Sequence, residues 1–76
     1  MSEVTKKLDV SGLNCPQPIL RTRASLEEMK SGEVLQVIAT DPGSVRDIET
    51  FCSQTDNTLL SSSEVAGEYI FLIQKE

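Results

Sequence analysis

Apolar residues at positions 4, 8 and 10, with polar ones between, predict a short strand over Val4–Val10. Ser11-Gly12-Leu13-Asn14 reads as a turn, and Gly12 lets this loop present the next residue outward. Cys15-Pro16-Gln17-Pro18 then opens a helix. Proline suits the first helical position, where its missing N–H would lack a partner anyway. It also biases the preceding residue toward the extended backbone that an N-cap needs. Cys15 therefore falls at or beside the helix N-cap. Behind it Ile19, Thr22, Leu26 and Met29 recur at helical spacing, with Leu20 and Ala24 widening the stripe. Ser31-Gly32 is the expected C-cap.

Glu33–Thr40 is rich in Val, Leu and Ile and almost continuously apolar, the pattern of a central strand. Asp41-Pro42-Gly43-Ser44 turns into a second helix, capped either by Asp41 or by Ser44 with Asp47 three residues on. Val45, Ile48, Cys52 and Thr55 form that helix's apolar stripe, with Phe51 beside it. Thr58–Val65 is a weak, Ser-rich strand, Ala66-Gly67 a turn, and Tyr69–Ile73 a strong last strand. The order β-α-β-α-β-β, with a right-handed first crossover, gives an α/β (α+β) two-layer sandwich. Its four-stranded mixed sheet carries two helices on one face and water on the other. The last strand is apolar on both sides, so some of that surface is expected to lie open for a partner.

Length and composition narrow the function. With 76 residues, the span 1–76 is expected to be a single domain with a small core. The 12 acidic and 7 basic residues leave a net charge of −5, against the basic footprint of nucleic-acid binding. The same charge favours a basic protein partner. The sequence has no His, which excludes His catalysis and His metal ligation. Neither a secretory leader nor a stretch long enough to span a bilayer is visible, so a soluble, cytoplasmic protein is expected. There the two cysteines are free thiols rather than a bridge, and without a Cys-x-x-Cys pair a zinc site is not expected.

Cys15 is the candidate for chemistry. A thiolate at a helix N-terminus is stabilised by unpaired N–H groups and the helix dipole. Pro16 and Pro18 remove competing N–H groups, which leaves the Gln17 N–H as the donor best placed to face the sulfur. Either Arg21 or Arg23 could face the same side. The alternative is a small buried hydrophobe, and that reading suits Cys52 on its apolar stripe. The Asp41–Ser44 turn sits where ligands gather in α/β layers, but helix capping explains its residues without one.

Leu8-Asp9-x-x-Gly12-Leu13-x-Cys15-Pro16-x-Pro18 resembles the signature of the TusA/SirA-like sulfur-carrier family. The resemblance runs on through Gly32-Glu33, Ala39–Ser44, Asp47-Ile48 and Phe51-Cys52. It implies the same sandwich, with Cys15 holding sulfane sulfur as a persulfide and no cofactor or metal. Arg23 and Asp41 match positions tied in the family to partner contact or transfer, and Pro16, Gln17 and Pro18 support the thiol. Cys52 matches a position that is not the carrier. The implied donor is a cysteine desulfurase or rhodanese, and the implied acceptor a DsrE-like or TusD-type protein. The pathways are tRNA thiolation, molybdenum cofactor supply or sulfur oxidation. A monomer is expected, with no direct nucleic-acid or membrane contact. The competing readings are a redox-sensitive regulatory domain and an RNA-binding module.

Overall fold

The backbone alternates strand and helix before closing on a hairpin: β1 (Lys6–Val10), α1 (Gln17–Glu27), β2 (Val34–Ala39), α2 (Gly43–Gln54), β3 (Thr58–Val65) and β4 (Glu68–Gln74). The computed structural model describes residues 3–76. Met1 and Ser2, where the expected domain span begins, lie outside the described residues. The sheet order is β1-β2-β4-β3. β1 runs parallel to β2, and β4 lies antiparallel between β2 and β3. This is the four-stranded mixed sheet with two helices that the sequence predicts.

Alternation along the strands sorts the apolar residues. Leu35, Val37 and Ala39 of β2 and Phe71 and Ile73 of β4 join Val10, Leu26, Ile48 and Cys52 in one buried cluster. Register places Val37 opposite both Leu8 and Phe71, so the core crosses three strands. Each such large side chain contributes about 1.5–3 kcal/mol on burial. The intervening Ile38, Ile70 and Leu72 lie half-buried on the other face, with Ile38 paired to Ile70 and Gln36 to Leu72. The two-sided apolar character of β4 thus has one side in the core and one on the open face.

Several boundaries differ from the sequence expectation. β1 starts at Lys6 and leaves Val4 exposed. α1 ends at Glu27 rather than at Ser31-Gly32. The Glu28 and Met29 N–H groups bond three residues back, to Ser25 and Leu26, which tightens the chain out of the helix. Gly32, at φ +88°, serves the next junction instead: its N–H donates to the Lys75 carbonyl (2.9 Å). The buried stripe of α1 is Pro18, Thr22, Ser25 and Leu26, whereas Leu20 and Ala24 face water. Thr22 is tolerated there because its hydroxyl donates to the Pro18 carbonyl at 2.8 Å.

Of the two expected caps of α2, the Ser44 one does not form, and Asp41 serves from just outside the N-cap. Pro42 occupies the N-cap, Ser44 is buried with its Oγ unpartnered, and Asp41 accepts the Gly43 N–H through Oδ1 (3.1 Å) from one residue further out. That leaves both Asp41 Oδ2 and the Asp47 carboxylate free to act elsewhere.

Candidate thiol site

Hydrogen bonds hold the loop between β1 and α1 along its length. The Leu13 N–H donates to the Val10 carbonyl and the Gly12 N–H to Thr40 Oγ1 at 2.8 Å. Gly12 takes φ +80°, which a glycine adopts without a steric penalty. The Gln17 N–H donates to the Asn14 carbonyl, closing a tight turn around Cys15 and Pro16. The Cys15 N–H donates to Asp41 Oδ2 at 2.7 Å. Asp41 therefore clamps two segments together, the thiol loop through one oxygen and the start of α2 through the other.

Cys15 is exposed and lies one residue before the Pro16 N-cap. Its thiol donates to Asp47 Oδ2 at 3.0 Å. This overturns the expectation of a thiolate held by the helix N-terminus. The Gln17 N–H is taken by the Asn14 carbonyl and does not serve the sulfur. The groups that do meet Cys15 are carboxylates, which favour a protonated thiol. The Asp47 hydrogen bond, then partial removal from water, then the negative charges of Asp47 and Asp41 all push the Cys15 thiol up.

Beside the thiol a hollow opens between α1 and α2. Ile19, Leu20 and Phe51 give it apolar walls, and Arg23, Arg46 and Asp47 edge it. Leu20 is 49% exposed there. The Arg23 guanidinium lies over the Phe51 ring, 5.9 Å from its centroid, an arrangement worth about 0.5–1 kcal/mol at an exposed site. Arg21 does not line this hollow.

Cys52 lies on the buried side of α2, where burial pushes its thiol up as well. Of the residues singled out with Cys15, Pro16 lines the hollow and Gln17 is exposed at the helix start. Pro18 is fully buried and supports the turn from beneath, offering no surface to a partner. Arg23 reaches the hollow, and Asp41 meets the Cys15 backbone. Asp47 is the neighbour of the thiol that sequence reasoning misses, because its spacing from Ser44 reads as half of a capping box. Its place on the α1-facing side of α2 is set by helix packing, which one chain's periodicity does not give. Among the described residues there is no cluster of three or more metal-ligating side chains. No helix there is long and apolar enough to cross a membrane.

Residues 6–75 match the family model described as Sulfurtransferase TusA. The chain is 55% identical over 75 residues to the sulfur carrier protein TusA of Allochromatium vinosum, covering 99% of each. Its fold is similar to that of a SirA-like protein from Desulfitobacterium hafniense, with a TM-score of 0.80 over 92% of this chain and 96% of that one. That pair shares 19% identity, so the likeness concerns the fold.

Proposed function

The chain belongs to the TusA family, and from that premise we propose that it is a sulfur carrier whose Cys15 holds the sulfur as a persulfide. The observation that supports Cys15 is its exposure beside an open apolar hollow, while the other thiol is buried in the core. A donor protein's active-site cysteine must approach the accepting sulfur directly, and only an exposed thiol permits that.

The step needs no cofactor. The donor presents a persulfide anion, and the Cys15 sulfur attacks its terminal sulfur. The donor's S–S bond breaks and a new S–S bond forms on Cys15. The proton that Cys15 gives up ends on the donor's departing thiolate. One sulfane sulfur has moved, no electrons have been gained or lost overall, and the carrier leaves as the persulfide anion. Delivery is the same displacement, with the acceptor's cysteine as nucleophile.

The donor in this reading is a cysteine desulfurase or a rhodanese, and the acceptor a DsrE-like or TusD-type cysteine protein. Loading from cysteine by a desulfurase fits tRNA thiolation or molybdenum cofactor supply. Loading from thiosulfate by a rhodanese fits sulfur oxidation. Arg23, Pro16 and Leu20 at the rim of the hollow are the contacts a partner would meet first. The test is intact mass after incubation with a desulfurase and cysteine. The wild type and Cys52→Ser should each gain one sulfur, about 32 Da, and Cys15→Ser should gain none. Loading of Cys15→Ser at the wild-type level would overturn the assignment.

A further inference from the structure

We propose that Asp47 is a positioning residue that holds the empty carrier thiol protonated and turned toward α2, so that sulfur uptake starts when a donor breaks this contact. The proposal rests on Cys15 being the carrier. Among the described residues the Asp47 side chain makes one hydrogen bond, to Cys15 Sγ, and no ion pair. It is not needed as a cap either, because Asp41 already accepts the Gly43 N–H. Its carboxylate is thus committed to the thiol. The other charged groups about the sulfur are Asp41, from the loop before α2, and Arg23 and Arg46, from α1 and α2 at the edges of the hollow. Among the described residues neither arginine lies within ion-pair distance of a carboxylate.

The contact also separates the empty carrier from the loaded one. A free thiol donates its hydrogen to Asp47. Once Sγ is bonded to a second sulfur it has no hydrogen to give, and the terminal sulfur carries negative charge. Asp47 then repels the group it previously held. The loaded arm is turned away from α2, toward solvent and an acceptor. Asp47 therefore slows capture by stray electrophiles when the carrier is empty and favours release when it is full. A donor that brings a cation to Asp47 would unlatch the thiol during docking.

The test is the alkylation rate of Cys15 by iodoacetamide from neutral to alkaline pH, followed by site-resolved mass spectrometry in wild type, Asp47→Asn, Asp47→Ala and Asp47→Glu. The Asn and Ala variants should move the midpoint to lower pH, and Glu should restore it partly. At a pH below both midpoints, a midpoint lower by about 1 gives about tenfold more thiolate, partly offset by its lower nucleophilicity, for a net gain of about threefold. Midpoints unchanged in both Asn and Ala, with melting curves showing both folded, would overturn the proposal. No sulfur donor is used, so this outcome is independent of whether Cys15 carries sulfur.

Discussion

Cys15 and Cys52 are the same residue in opposite surroundings. One is exposed and bonded to a carboxylate, and the other is packed among Ile48, Phe71 and their neighbours. For Cys52 the consequence is thermodynamic. Burial raises its folded-state pKa above the ordinary value of 9.0, so the fold retains a proton that the unfolded chain gives up. Its contribution is complete below that value and falls as pH rises past it. Urea unfolding of wild type and Cys52→Ala should therefore show a stability difference that narrows with rising alkaline pH. A difference independent of pH would contradict this. At this scale the sequence separates the two thiols correctly, because an apolar stripe marks Cys52 and a proline-bounded turn marks Cys15. The protonation of Cys15 is not legible there. It depends on Asp41 and Asp47, which lie 26 and 32 residues away and reach it only through folding.

The elements themselves follow from local pattern, and their ends often do not. β3 spans the expected Thr58–Val65, where antiparallel pairing with β4 holds a stretch whose three serines have no strand preference of their own. The runs EVLQVIAT and YIFLI supply the two inner strands, whose alternate side chains fill the centre of the core. α1 stops early because residues 28–33 must turn the chain into β2 and meet the end of β4, a demand no local spacing reveals. The β3–β4 turn carries a correctable strain. Ala66 and Gly67 both have positive φ, at 51° and 82°, which suits Asn-Gly better than Ala-Gly. Ala66→Gly or Ala66→Asn should raise stability by about 0.5–1 kcal/mol, visible as a higher melting temperature. An unchanged or lower value for both would mean that the turn relaxes without cost.

At the scale of the molecule, a chain of 76 residues has about 4–11 kcal/mol of stability to lose. Phe71 sits at the centre of β4 with no exposure. Phe71→Ala should cost about 3–5 kcal/mol, measured by urea unfolding, and leave the protein partly unfolded at moderate temperature. A loss below about 1 kcal/mol, far under that range, would mean that the core does not centre on this side chain. The rest of the architecture is economical. One layer of helices fills one side of the sheet, and the thiol stands at the helix ends beside an apolar hollow that a partner can enter. The net charge of −5 suits association with basic protein surfaces, whose cations would also meet Asp41 and Asp47 beside the sulfur.

The central claim is that sulfur travels on Cys15, and peptide mapping of the loaded wild-type protein tests it most directly. After incubation with a cysteine desulfurase and cysteine, the persulfide is trapped by alkylation and the chain is cut at Lys and Arg. Cys15 then lies in the peptide from Leu8 to Arg21, and Cys52 in the peptide from Asp47 to Lys75. The extra sulfur, about 32 Da, should appear on the first peptide and be missing from the second. Sulfur on the Cys52 peptide, with the Cys15 peptide unmodified, would contradict the assignment.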